Sequence, residues 1–256
     1  MLCRALAIGL LGFATVACGS APVEAPVTLA APATPAPAPG LRVLFVGNSY
    51  TFSHDLPKVL EQIAGARPEG PTIKTTMVAE PGWTLQQHWE DRRALAEIRS
   101  GAYSHVVLQG HSPGTLDARE LLIEYGRRFD SAIDEAGAQT VLFMTWARRE
   151  HPEMLDAVRD GYTELGERTD AVVVPVGAAW AESWATRPDL HLWHADGSHP
   201  SPAGTYLAAA AFYAALTGES CGGAEHAGFG QLDDDEIRLL QEIGVRSGLS
   251  VARPRR

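Results

Sequence analysis

A serine hydroxyl, an imidazole and a carboxylate can together open an ester, provided the fold brings them to one place. Ser49, His199 and Asp196 are the candidates in this chain. Ser49 follows Gly47-Asn48, a dipeptide able to turn with positive φ. Before it runs Val43-Leu44-Phe45-Val46, an apolar stretch that reads as a strand buried on both faces. A helical pattern begins near Asp55. A serine between such a strand and a helix is presented at the carboxyl edge of a sheet, where open α/β sheets bind ligands. Its hydroxyl is a weak nucleophile at neutral pH and needs a base. His199 can be that base if a carboxylate holds its other ring nitrogen. Asp196, three residues earlier, can do so when the turn folds back, which Gly197 permits.

An oxyanion formed at Ser49 needs hydrogen-bond donors. The Ser49 N–H is one, and the N–H of Gly82 a second, because a residue without Cβ allows close approach. The third is the Gln109 amide, with Ser112 as the alternative. The loops carrying Gly82 and Gln109-Gly110-His111-Ser112 follow apolar runs near residues 73–78 and 105–109. Further runs at 140–144 and 171–175 complete five expected strands. Amphipathic helices are expected near 56–64, 85–98, 116–136, 153–169, 178–184, 205–216 and 233–243. Short apolar strands alternating with such helices imply a five-stranded parallel sheet in a three-layer α/β/α sandwich resembling flavodoxin. In that fold the four loops border one crevice.

The chain has 256 residues and a formal net charge of -10, with 45% hydrophobic residues. It has no basic stripe for nucleic acid. Residues 1–18 read as a signal peptide: Arg4 precedes an apolar run that is too short to span a bilayer as a mature helix. The run closes on Thr15-Val16-Ala17-Cys18, which resembles a bacterial lipobox, with Cys18 as the lipidated residue. Cleavage near Ala17 or Ala21 is the alternative. Residues 19–40 are rich in Ala and Pro and read as an extended spacer. One domain is expected over residues 41–250. Cys221 is then left without an intrachain disulfide partner.

Gly47-Asn48-Ser49-Tyr50-Thr51 resembles the first block of the SGNH (GDSL-type) hydrolases, in a Gly-Asn-Ser form. Asp196-Gly197-Ser198-His199-Pro200 resembles their last block, and Gly82 fits the second. The third block departs: where that family has Gly-x-Asn-Asp, this chain has Gln109-Gly110-His111-Ser112. The resemblance implies a serine esterase working through an acyl-enzyme on Ser49, His199 and Asp196, and residues 1–18 imply that it is exported. A carbohydrate acetyl ester or another short-chain ester is the implied substrate. Acyl transfer on the same triad is a rival, and so is a non-catalytic envelope module that keeps the fold.

No cofactor is required by this chemistry. His191, His194, Asp196 and His199 are dense enough for a metal site, but Pro188 and Gly197 interrupt the helix that such spacing would need, so none is assigned. Trp83, Trp146, His111 and Ser112 are candidates for the substrate pocket. His88 is expected on a helix surface. The partner is a small-molecule or glycan ester, and the membrane enters only through the lipid at Cys18.

Overall fold

The apolar run after Leu41 has no polar face, so it folds only where both sides are covered. In the computed structural model, which describes residues 40–110, 119–224 and 232–251, that run is β1 (Leu41–Gly47). The four residues Val43 to Val46 are fully buried. β2 (Ile73–Ala79) and β3 (His105–Leu108) flank it, followed by β4 (Gln139–Phe143) and β5 (Val172–Val174). All pairs are parallel, and the order is β2-β1-β3-β4-β5. The order reverses at β1, so the crevice of the sheet lies beside its carboxyl end.

Successive side chains of a strand point to opposite faces, and β1 serves two cores in this way. Val43 and Phe45 pack with Val107, Val141 and Phe143 against α2 (Leu56–Gly65), α7 (Val176–Thr186) and α8 (Pro202–Thr217). Leu44 and Val46 pack with Val106, Leu108 and Leu142 on the other side. There they meet α3 (Leu85–Asp91), α4 (Arg93–Arg99), α5 (Arg119–Glu135) and α6 (Met154–Thr169).

The helix α8 is buried from Ala203 to Ala215 because it lies between the sheet and α9 (Asp234–Leu249). Small residues let the two helices approach: a Cβ on Gly248 would stand only 2.3 Å from the Ala211 carbonyl oxygen. Ser201 caps α8 by accepting from the Gly204 N–H, and Pro202 occupies the first turn. An Asp233–Glu236 capping box and three acids in the first turn start α9.

Two expectations change. The helical pattern starts at Ser49, not near Asp55. Asn48 caps a short helix, α1 (Ser49–Phe52), and the chain then passes through His54 and Asp55 at φ 53 and 52 before α2. The expected helix over 85–98 breaks at Arg92, whose φ is 73. The break turns Leu85 and His88 inward on one segment, and Ala94, Leu95 and Ile98 inward on the next.

Residues 1–39, which include the expected signal peptide, Cys18 and most of the spacer, lie outside the described residues. Among the described residues no helix is long and apolar enough to cross a membrane.

Candidate active site

The turn after β1 is built from buried polar groups. A side chain at Gly47 would stand 2.5 Å from Thr51 Oγ1 and 2.6 Å from Gln109 Oε1, so only glycine fits. Asn48 is 2% exposed. Its N–H donates to Gln109 Oε1 (2.8 Å), its Nδ2 donates to the Trp83 carbonyl (3.0 Å), and its Oδ1 accepts from the Tyr50 N–H (3.1 Å). Those bonds set the direction of α1, whose first residue is Ser49. As the first helical residue, Ser49 has no acceptor for its N–H within the helix.

His199 arrives on a small local turn. Asp196 Oδ1 accepts from the N–H groups of Ser198 and His199, both at 2.9 Å. Gly197 makes the turn at φ 70. The His194 N–H donates to the His199 carbonyl (2.8 Å), and Trp193 bridges Pro200, which closes the loop. The other Asp196 oxygen, Oδ2, is then 2.7 Å from His199 Nδ1. His199 Nε2 is 2.9 Å from Ser49 Oγ. A carboxylate can only accept, so Nδ1 carries the proton and Nε2 is free to accept the Ser49 hydrogen. Burial raises the Asp196 pKa, but the bonds from Ser198 and His199 outweigh it and hold the carboxyl well below its usual range.

The end of β4 braces this turn. Trp146 is buried, stacks on Trp180 at 3.8 Å, and donates from Nε1 to the Ser198 carbonyl (3.0 Å). Tyr50 stacks on the other face of Trp146 at 4.8 Å, and its hydroxyl lies 2.5 Å from Ser198 Oγ. The edge of Tyr50 also meets the His199 ring at 5.7 Å. The Arg149 N–H donates to the Gly197 carbonyl (2.8 Å).

Solved structures carry the same architecture. A protein from Slackia heliotrinireducens assigned to the SGNH hydrolases matches at 24% identity and a TM-score of 0.58, over 70% of this chain and 100% of that one. A DUF4886 family protein from Bacteroides uniformis matches at 16% identity and 0.64, over 82% and 95%. A variant of an acetyl xylan esterase from Geobacillus stearothermophilus matches at 20% and 0.51, over 69% and 94%. This chain has the SGNH hydrolase fold. No family model matches its sequence, and no curated protein matches it either.

In this SGNH fold a pocket of about 510 Å³ lies beside Ser49 and His199, lined also by Gly82, Phe52, Pro81 and Arg148 among others. Gly82 is exposed there with φ 69 and open space where a Cβ would be. The Gly47 carbonyl holds its loop by accepting from the Glu80 N–H (3.2 Å) and from His88 Nε2 (2.7 Å). His88 is therefore not a helix-surface residue. It is fully buried, and desolvation lowers its pKa against the pull of the Gly47 carbonyl, so it stays neutral.

Three sequence expectations are corrected. Gln109 does not face the crevice: it is fully buried, its Oε1 accepts from Asn48 and Thr51, and its Nε2 donates to the Gly110 carbonyl. One Nε2 hydrogen has no acceptor among the described residues, but the amide is sealed beneath Asn48 and takes no part in the pocket lining, so its place is to support Asn48 and not to meet an oxyanion. Trp146 lies beneath the site, not in the pocket wall. Trp83 is half-buried against His88, with the Arg93 guanidinium over its ring, and does not line the pocket. His111 and Ser112 lie outside the described residues.

Exposed His194 has its Nδ1 3.4 Å from Asp196 Oδ2. Among the described residues no three His, Cys, Asp or Glu side chains gather as a metal would need. Asn48, Tyr50, Ser198 and Arg148 complete the site without having been singled out as site residues. Asn48 and Tyr50 flank Ser49, and that adjacency was the available signal. Arg148 gave no local sign.

Proposed function

We propose that this chain is an exported serine ester hydrolase that removes acetyl or other short acyl groups from a carbohydrate or similar alcohol. The observation that carries the reading is the continuous line of contacts from Asp196 through His199 to Ser49 Oγ. Ser49 attacks the ester carbonyl as His199 Nε2 takes its proton, and Asp196 stabilises the imidazolium. The N–H groups of Ser49 and Gly82 receive the oxyanion. When the intermediate collapses, His199 returns the proton to the leaving alcohol. Water, activated by the same imidazole, then releases the acid and regenerates Ser49. The acetyl preference is supported by the acetyl xylan esterase among proteins of this fold. The leader over residues 1–18 and the lipid-acceptor position Cys18 support an envelope location.

The test is labelling with a fluorophosphonate probe together with turnover of p-nitrophenyl acetate. Wild type is expected to label and to hydrolyse the ester, and Ser49→Ala to do neither. A wild-type chain that neither labels nor turns over would instead be a binding module on the same fold.

A further inference from the structure

The pocket beside Ser49 carries one fixed charge that nothing described neutralises. Among its described lining residues, only Arg148 has a permanently charged side chain. Arg148 is exposed, and its guanidinium has no ion pair or hydrogen bond among the described residues. The charged side chains around it already have partners of their own. Glu80 is held by Arg93 (2.8 Å) and the neighbouring Arg149 by Glu150 (3.0 Å), and the Asp196 carboxylate is taken up by hydrogen bonds from Ser198 and His199. The chain as a whole has 31 acidic residues against 21 Lys and Arg, so its overall field repels anions. A lone guanidinium at the reaction centre of such a protein is a selective local feature, not part of a general basic surface.

Its position says which part of the ester it reads. Residues 146 to 149 are tied to the base-bearing loop at three points: Trp146 Nε1 to the Ser198 carbonyl, Trp193 Nε1 to the Ala147 carbonyl, and the Arg149 N–H to the Gly197 carbonyl. Arg148 therefore stands on the His199 side of Ser49. His199 must reach the leaving oxygen to protonate it, so the alcohol portion of the substrate lies on that side. We infer that Arg148 selects esters whose alcohol portion carries an anionic oxygen group, a carboxylate or a phosphate. This deepens the esterase reading and rests on it.

The test compares kcat/KM for 4-acetoxybenzoate, 4-acetoxyphenyl phosphate and the near-isosteric neutral 4-acetoxybenzamide, at low salt, in wild type, Arg148→Gln and Arg148→Lys. Differences in intrinsic leaving-group reactivity cancel when the anionic-to-neutral ratio is compared between proteins. Wild type is expected to favour an anionic ester, and the ratio to fall about ten- to a hundredfold in Arg148→Gln, as for a lost charge-assisted hydrogen bond. Arg148→Lys should keep part of the preference, and added salt should erode it in wild type. The anionic ester that loses more in Arg148→Gln identifies carboxylate or phosphate as the group read. An unchanged ratio in Arg148→Gln, or a wild type that prefers the amide, overturns this inference while leaving the esterase standing. A wild type that hydrolyses none of the three and resists the fluorophosphonate overturns both.

Discussion

The two halves of the Ser49–His199–Asp196 arrangement are held by opposite means. The turn that carries Ser49 is an interior structure, with Asn48 2% exposed and Gln109 fully buried beneath it. His199 and Asp196 sit on a surface turn, with side chains 41% and 43% exposed. Buried polar groups must satisfy one another, so the first site is tied to the stability of the fold. The second is set by Asp196 bonding to its own following N–H groups, a local device that water tolerates. Damage at the two ends should therefore have different consequences.

The largest effect is expected from His199→Ala, which removes the base from the exposed end. Ester turnover should fall by about three or more orders of magnitude, while the thermal midpoint moves little. A variant that retains wild-type kcat would break the comparison at its chemical end.

Next comes Gln109→Ala at the buried end. It strands the Asn48 N–H, the Thr51 hydroxyl and the Gly110 carbonyl, and should lower unfolding free energy by about 3 kcal/mol or more. Urea unfolding measures this. A small loss of stability beside a large loss of kcat would restore Gln109 as an oxyanion donor and undo the correction made above.

The smallest effect sharpens the contrast through pH. The Asp196 pKa is lower in the folded chain than in the unfolded one, because the Ser198 and His199 bonds prevail over burial. Its contribution to stability is thus fully present above the unfolded value of about 4, and is lost as pH falls below that through the folded value. Being largely exposed and screened, the contribution is small. The difference in thermal midpoint between wild type and Asp196→Asn should shrink from pH 7 to pH 3. A difference that widens on acidification would place Asp196 in a different role.

The layered fold was legible because its signals are local and strong. A both-sides-buried strand shows as a continuous apolar run, as β1 does, and amphipathic helices show their spacing. The break at Arg92 was not legible, since no glycine or proline marks it. Arg92 takes a left-handed conformation so that two helical segments can present different faces to the sheet.

The candidate site divides in the same way. Asp196, Gly197 and His199 could be read as one unit because their bonds lie within four residues. Gly82 stood out because a residue without Cβ is informative wherever backbone must approach a ligand. Gln109 was misread because an amide is equally able to donate to a substrate or to fill a buried network. Only its burial under Asn48 separates those roles. Trp146 and Trp83 were misread for a related reason: an indole packs as readily beneath a site as along its wall.

The amino-acid order by itself determined the strand that ends at Gly47 and the turn that aims Asp196 at His199. The turn depends on bonds among neighbours in the chain, and the strand shows as a continuous apolar run even though its ladder partners are distant. The 2.9 Å meeting of His199 with Ser49, the burial of Gln109 and the placement of Arg148 in the same pocket were decided by the tertiary structure. They join groups that only the parallel sheet brings to one edge, and distance along the chain carries no trace of that closeness.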